Sequence, residues 1–166
     1  MTDYQGRIVL GADTVAELAD RIEGSVFTPD APGYIGAIAG FNLRSRQRPC
    51  PVVAAAGADD VRAAVAFAAA RDLPVGVMAT GHQPFPTADY FLLVTTRAMR
   101  TVDIDAEGAV ARVGAGALWS DVVEPAQATG LAPLNGSSSQ VGVVGFTLGG
   151  GLSPFLGRSF GWAADT

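Results

Sequence analysis

The chain has 166 residues, a length suited to one ordinary domain, and 49% of them are apolar, enough to bury a real core. Acidic residues outnumber basic ones, 16 to 11, for a net charge of −5 with no basic run, which argues against nucleic-acid binding. No apolar run is long enough for a bilayer, "MTDYQGRIVL" lacks the pattern of a signal peptide, and the single cysteine, Cys50, cannot close an internal disulfide, so a cytoplasmic setting without membrane partners is expected.

Early in the chain, "DTVAELADRIEG" reads as a short helix. Asp13 or Thr14 can cap it, Val15, Leu18, Ala19 and Ile22 share a face, and Gly24 can end it. "TPDAPGYIGAIAGFN" opens with turn residues and predicts a helical turn after Pro32. Residues 1–50 are therefore read as lead-in helices. "CPVVAAAG" predicts a buried strand, with Cys50 as a small apolar residue at its start. "ADDVRAAVAFAAARDLP" carries the clearest helix signal. Asp59 and Asp60 lie near its positive end, Arg71 lies near its negative end, and Val61, Ala64, Val65, Ala68 and Ala69 form an apolar stripe.

"LPVGVMA" is the next strand, and the two strands flanking the helix suggest a βαβ unit. The turn "ATGHQ" follows and holds the chain's one histidine, His82. "DYFLLVTT" is strand-like. "TVDIDAEGAVARVGAG" predicts a hairpin turning at Gly108, with Val102 and Ile104 on one arm and Val110 and Val113 on the other. "LWSDVVEPAQATG" predicts an amphipathic helix interrupted by Pro125 and closed by Gly130. The remaining residues are rich in Gly and Ser.

Two segments carry chemistry. In "NGSSSQVGVVGFTLGGGL" the glycines let backbone approach a ligand, and exposed N–H groups near a helix start favour phosphate. The segment lacks the Gly-Lys-Ser/Thr of a P-loop and the context of a dinucleotide fingerprint. Phosphate cradle and close-packing glycine loop both remain as readings. His82 has no Cys, Asp or second His at ligand spacing, so no metal site is expected. By itself it is either a solvated turn residue or a point where something is held.

The order of "ATGHQ", "VGAGALWSDV", "GLAPLNGSS", "VGVVGFTLGGGL" and "RSFGWAADT" resembles the N-terminal half of the FAD-binding domain of berberine-bridge-enzyme-like oxidases. These belong to the flavoprotein family typified by vanillyl-alcohol oxidase and p-cresol methylhydroxylase. The resemblance runs from about Gly24 to the last residue. It implies an α+β, PCMH-type FAD-binding domain: two α+β subdomains with FAD between them. That domain would occupy residues 51–166 and be incomplete at the C-terminus, with the substrate domain absent from this chain.

The resemblance also assigns roles. Ala79, Thr80, Gly81, His82 and Gln83 match the loop around the pyrophosphate, commonly Arg-Gly-Gly-Gly-His-Ser. Met78, Ala79 and Thr80 depart from that form, which leaves backbone N–H groups and the Thr80 hydroxyl for the phosphates. His82 matches the histidine that bonds covalently to the methyl carbon on the flavin's benzenoid ring. Ser138 stands where some relatives carry a cysteine, so a second covalent bond is not expected. Asn135, Gly136, Ser137 and Ser138 would line the cofactor site. Val141, Gly142, Gly145, Thr147, Gly149, Gly150 and Gly151 would surround the phosphates, ribose and isoalloxazine.

The implied activity is that of an FAD-dependent oxidoreductase of oxidase type, taking a hydride from a small-molecule alcohol or C–H onto FAD. Its catalytic base would lie in the missing half, so no catalytic residue is expected in this chain, and the isolated chain is expected to be inactive. Two other readings stand beside it: an FAD-binding module or truncated product that needs a separate C-terminal half, and a glycine-rich structural domain without flavin. Phe155, Phe160 and Trp162 have no later partner in the sequence, so the chain is expected to be either marginally folded or self-associating through them.

Overall fold

The computed structural model describes residues 10–42, 48–83 and 90–165. They fall into two compact units, Met1–Ala98 and Met99–Thr166. Among the described residues, no helix is long and apolar enough to cross a membrane.

The first unit contains α1 (Ala12–Ala19), β1 (Ser25–Phe27), α2 (Tyr34–Ile38), β2 (Val52–Ala54), α3 (Ala58–Ala69), β3 (Val75–Met78) and β4 (Leu92–Thr95). Its sheet has the order β1-β2-β4-β3. β2 and β3 each pair in parallel with β4, while β1 pairs antiparallel with β2. The expected βαβ unit is therefore present, but β4 lies between its two strands. Burial explains the order. Leu92, Leu93 and Val94 are all buried, as suits a strand covered on both faces, whereas Val75 and Val77 of β3 are exposed at the sheet's edge. Residues ahead of Cys50 supply β1, a strand the sequence pattern did not announce.

One core cluster gathers Tyr34, Val52, Met78, Phe91 and Leu93, with Phe27, Ala37 and Ile38 packed against it. The Tyr34 hydroxyl donates to the Pro49 carbonyl at 2.8 Å. α3 packs against β4, and α1 packs against α3 and β1. α1 differs from its expected form. Its N-cap is Gly11, not Asp13 or Thr14, it stops at Ala19, and Leu18 is its buried residue while Ala19 is exposed. Asp13 instead lies in the first turn, where its charge favours the positive helix end.

The buried stripe of α3 is Asp60, Ala64, Phe67 and Ala68, not the expected Val61–Ala64–Val65–Ala68–Ala69 set; Val65 and Ala69 are exposed. A buried carboxylate turns the helix this way. Asp60, 3% exposed, accepts the backbone N–H groups of Glu23 at 2.8 Å, Gly24 at 3.0 Å and Ala56 at 2.8 Å. Burial by itself would raise its pKa, but backbone hydrogen bonds from Ala56, Glu23, Gly24 and Gly57 outweigh this and hold it below the usual value. After the helix, Arg71 stacks 3.9 Å over the Phe67 ring and pairs with Glu17 at 2.8 Å. Cys50 is half-buried ahead of β2, and burial, then the charge of Asp30, pushes its thiol pKa up.

The second unit holds the hairpin β5 (Val102–Asp105) and β6 (Val110–Val113), then α4 (Trp119–Ala128), α5 (Val143–Leu148) and α6 (Gly157–Phe160). Gly108 lies in the hairpin turn, where its N–H donates to Asp105 Oδ1 at 3.0 Å; the left-handed residue is the next one, Ala109, at φ 51°. Ala117, Trp119, Val122 and Val143 form the core, flanked by Val102, Ile104, Val113, Val141 and Phe146. Trp119 and Phe146 meet edge to face at 5.5 Å.

α4 is not interrupted at Pro125, as the sequence suggested, but runs through it to Ala128. Pro125 is exposed, so the carbonyl that loses its helical N–H partner can be met by water. The helix start is held by Asp121, whose carboxylate accepts the Leu118 N–H at 2.9 Å and the Arg100 guanidinium at 2.9 and 2.5 Å. The Arg100 hydrogen bond keeps the Asp121 pKa low. Leu148 at the end of α5 and, beyond it, Leu152, Phe155 and Phe160 are exposed, and Trp162 is half so.

Candidate functional site

In the first unit the chain leaves β3 at Met78 and makes the turn that carries His82. That turn is crossed by the stretch after α2. The Phe41 N–H donates to the Thr80 carbonyl at 2.8 Å, and the Asn42 N–H donates to the Gly81 carbonyl at 3.0 Å. The two backbones meet at a pair of glycines. Gly81 has φ +68°, and a Cβ there would stand 2.6 Å from Gly40 Cα; one on Gly40 would stand 3.0 Å from Gly81 Cα.

Arg97, just beyond β4, fastens the same crossing. Its Nε donates to the Ala79 carbonyl at 2.9 Å, one Nη to the Gly36 carbonyl at 3.1 Å, and the other to the Ala39 carbonyl. One planar fork thus ties the end of α2 to the turn after β3. Sequence reasoning missed Arg97 and Phe41. The available signal for the first was an arginine directly after a fully buried strand, in "LLVTTR".

His82 is half-buried and doubly held. Its ring stacks on Phe41 with centroids 4.2 Å apart and planes 8° from parallel. Its Nδ1 lies 2.8 Å from Thr80 Oγ1. Among the described residues, nothing bonds to Nε2. The turn's carbonyls at Ala79, Thr80 and Gly81 are taken by Arg97, Phe41 and Asn42. Among the described residues, none of the backbone N–H groups of 79–83 donates a hydrogen bond. Among the described residues, the turn thus presents backbone donors without acceptors beside an imidazole engaged by Thr80 and Phe41, with Gln83 exposed at its end.

In the second unit, the segment 138–143 runs along 117–120. Trp119 N–H donates to the Val141 carbonyl, Ser120 N–H to the Ser139 carbonyl, and Val143 N–H to the Ala117 carbonyl. Gly142 is the N-cap of α5, a helix the sequence reading did not assign. Ser137 and Ser138 are exposed, and Ser138 Oγ accepts the Gln140 N–H at 3.3 Å. Asn135 Nδ2 donates to the Gly136 carbonyl at 2.8 Å, and Gly136 is buried against the Phe146 ring of α5.

The glycine run is fixed by the chain's own packing. Gly149 is the C-cap of α5, and Gly150 and Gly151 have φ +111° and +70°. Their carbonyls accept the N–H groups of Ala164 and Ala163, and a Cβ on Gly151 would come within 2.6 Å of Ala163 Cβ. Gly145 differs: it is an exposed helical residue, and a Cβ there would meet nothing within 4 Å. Thr147 lines an apolar groove of about 530 Å³ with Trp119, Leu134, Val143 and Leu148. The buried indole N–H of Trp119 has no partner among the described residues.

Residues 49–165 match the family described as FAD binding domain. The chain is 34% identical over 146 residues to (R)-6-hydroxynicotine oxidase of Paenarthrobacter nicotinovorans, a match covering 87% of this chain and 32% of that protein. The crystal structure of 6-hydroxy-D-nicotine oxidase from Arthrobacter nicotinovorans superposes with a TM-score of 0.80 at 33% identity, again over 87% of this chain and 32% of that one. Wild-type BBE-like 1 of Physcomitrella patens shares the fold, with a TM-score of 0.76 at 22% identity over 91% of this chain and 34% of its own. The chain thus spans about a third of the length of the relatives it matches.

Proposed function

The chain belongs to the family described as FAD binding domain, and on that footing we propose that it is the N-terminal flavin-binding part of a berberine-bridge-enzyme-like FAD-linked oxidoreductase, with FAD held covalently through His82. The observation that carries this reading is the turn after β3. The carbonyls of Ala79, Thr80 and Gly81 are occupied, and among the described residues the N–H groups of 79–83 donate no hydrogen bond and Nε2 of the imidazole held by Thr80 and Phe41 has no partner.

The residues fit the group. A diphosphate needs donors, and the N–H groups of residues 79–83 supply them without a side-chain cation, since the Arg97 fork is taken up by carbonyls. The Thr80 hydroxyl, expected to face the phosphates, lies 2.8 Å from His82 Nδ1. When bound, FAD supplies the hydride acceptor for a small-molecule alcohol or C–H donor. Arg97 and the Gly40–Gly81 crossing hold the turn in shape, and Phe41 keeps the imidazole plane fixed. The family likeness makes Asn135, Gly136, Ser137, Ser138, Val141, Gly142, Gly145, Thr147 and Gly149 to Gly151 the candidate cofactor residues of the second unit, and Ser138 has no thiolate with which to bond the flavin.

Acid precipitation of the holoprotein tests the tether. Flavin should stay in the protein pellet of the wild type and appear in the supernatant for His82→Ala, whose fold should survive because a half-buried turn residue contributes little core. Free flavin from the wild type overturns the tether and leaves only non-covalent binding.

Gly145→Ala separates ligand contact from packing. With open space around the new methyl and a helical backbone, stability should rise by about 0.5–1 kcal/mol. If Gly145 touches the cofactor, flavin retention should nevertheless fall. A variant that is both more stable and fully loaded removes Gly145 from the cofactor site.

A further inference from the structure

We propose that Thr80 is a positioning residue for His82: its hydroxyl engages Nδ1, accepting the Nδ1 proton in the reactive tautomer, and leaves Nε2 as the bond-forming atom. The inference rests on the covalent reading for its use, but its geometry stands independently. Nδ1 and Oγ1 are 2.8 Å apart, and the ring lies stacked on Phe41 at 4.2 Å and 8°. In a neutral imidazole one nitrogen is a donor and the other an acceptor, and the hydrogen bond made by the first decides the state of the second. Thr80 contributes a hydroxyl two residues before the ring, where the related loop form carries glycine. Glycine has no side chain with which to make this choice.

A hydroxyl suits the step because it can accept and then donate. Before bonding, Oγ1 accepts the Nδ1 proton. Nε2 then forms a C–N bond to the flavin's ring methyl carbon. A methyl C–H breaks and its proton leaves, Nδ1 releases its own proton, and the two electrons stay on the flavin. Dioxygen takes those two electrons with two protons, giving hydrogen peroxide and the oxidised flavin. Afterwards Nδ1 is an acceptor, and the Thr80 hydroxyl turns to donate to it. The same side chain therefore satisfies Nδ1 on both sides of the reaction.

The chain contains one histidine, so labelling with nitrogen-15 histidine yields one imidazole to observe. In the flavin-free protein, at a pH where the ring is neutral, the nitrogen spectrum should show Nδ1 protonated and Nε2 bare. Thr80→Val should move the population toward the Nε2–H form, and Thr80→Ser should restore the wild-type pattern. On reconstitution at saturating FAD, so that any change in non-covalent affinity does not enter, Thr80→Val should slow acid-stable incorporation about tenfold, a difference of about 1.4 kcal/mol. Nuclear magnetic resonance of the flavin peptide should place the linkage on Nε2. A predominantly Nε2–H ring in the wild type, or an unchanged tautomer in Thr80→Val, overturns the proposal. A wild type with the Nδ1–H ring but no acid-stable flavin supports the proposal on Thr80 and removes the tether instead.

Discussion

Replacing Asp60 by alanine should cost this chain about 3–5 kcal/mol, much of the stability a domain of this size commands. The carboxylate is 3% exposed and serves as acceptor for the N–H groups of Glu23, Gly24 and Ala56, which lie on either side of β1 and β2. Deleting it removes the charged acceptor from three part-buried N–H groups, and a hydrogen bond to a charged group is worth about 1.5–3 kcal/mol. Asp60→Asn keeps one acceptor oxygen and should lose roughly half as much. Urea titration followed by circular dichroism measures both. The pH dependence follows from the depressed pKa. The contribution of Asp60 is complete above the ordinary aspartate value and is lost as pH falls through the lower, folded-state value. In Asp60→Asn, that acid-side decline should flatten. A loss below about 1 kcal/mol in Asp60→Ala would mean that the loops around β1 rearrange to find other acceptors.

The second large effect belongs to Gly81. Gly81→Ala should lower flavin retention by about tenfold or more, because the turn can no longer hold its form. Two costs combine. A left-handed backbone at φ +68° costs a side-chain-bearing residue about 1–3 kcal/mol, and the new Cβ would stand 2.6 Å from Gly40 Cα, so one backbone must move. Any movement disturbs the hydrogen bonds from Phe41 and Asn42 to Thr80 and Gly81, and with them the Phe41–His82 stack. Gly40→Ala should act in the same direction through the reciprocal 3.0 Å contact. Gly11→Ala, where a Cβ meets nothing within 4 Å, should leave flavin unaffected and cost no more than about 1 kcal/mol as the N-cap of α1. Flavin absorbance after gel filtration, with a thermal melt of each variant, reads the comparison. Full retention in Gly81→Ala would show that the turn tolerates displacement of the crossing.

The glycine-rich segment shows how one sequence signal can have two causes. "TLGGGL" reads as a ligand cradle, yet Gly150 and Gly151 adopt left-handed backbone and pack against the segment 162–164. Any loss of flavin in Gly150→Val would mix a packing defect with a lost contact, which is why the open position at Gly145 is the sharper probe. Likewise the expected apolar stripe of α3 counted hydrophobic residues at helical spacing and overlooked Asp60, whose hydrogen bonds come from loops far along the chain.

Sequence by itself determined the succession of α2, β2, α3, β3, β4, the hairpin and α4, and the place of His82 in a glycine turn at the end of a strand. These features rest on periodicity, turn chemistry and neighbours within a few residues, all of which lie in a short window of sequence. Tertiary structure decided the rest. β4 takes the centre because both its faces are buried, and β1 exists because β2 offers it an edge. The histidine is held by Phe41, and its turn by Arg97 and Gly40, because the sheet order brings the end of α2 and the ends of β3 and β4 together. Contacts between residues so distant in sequence depend on which strand pairs with which, and that choice is set by the burial of whole faces, not by any local pattern of residues.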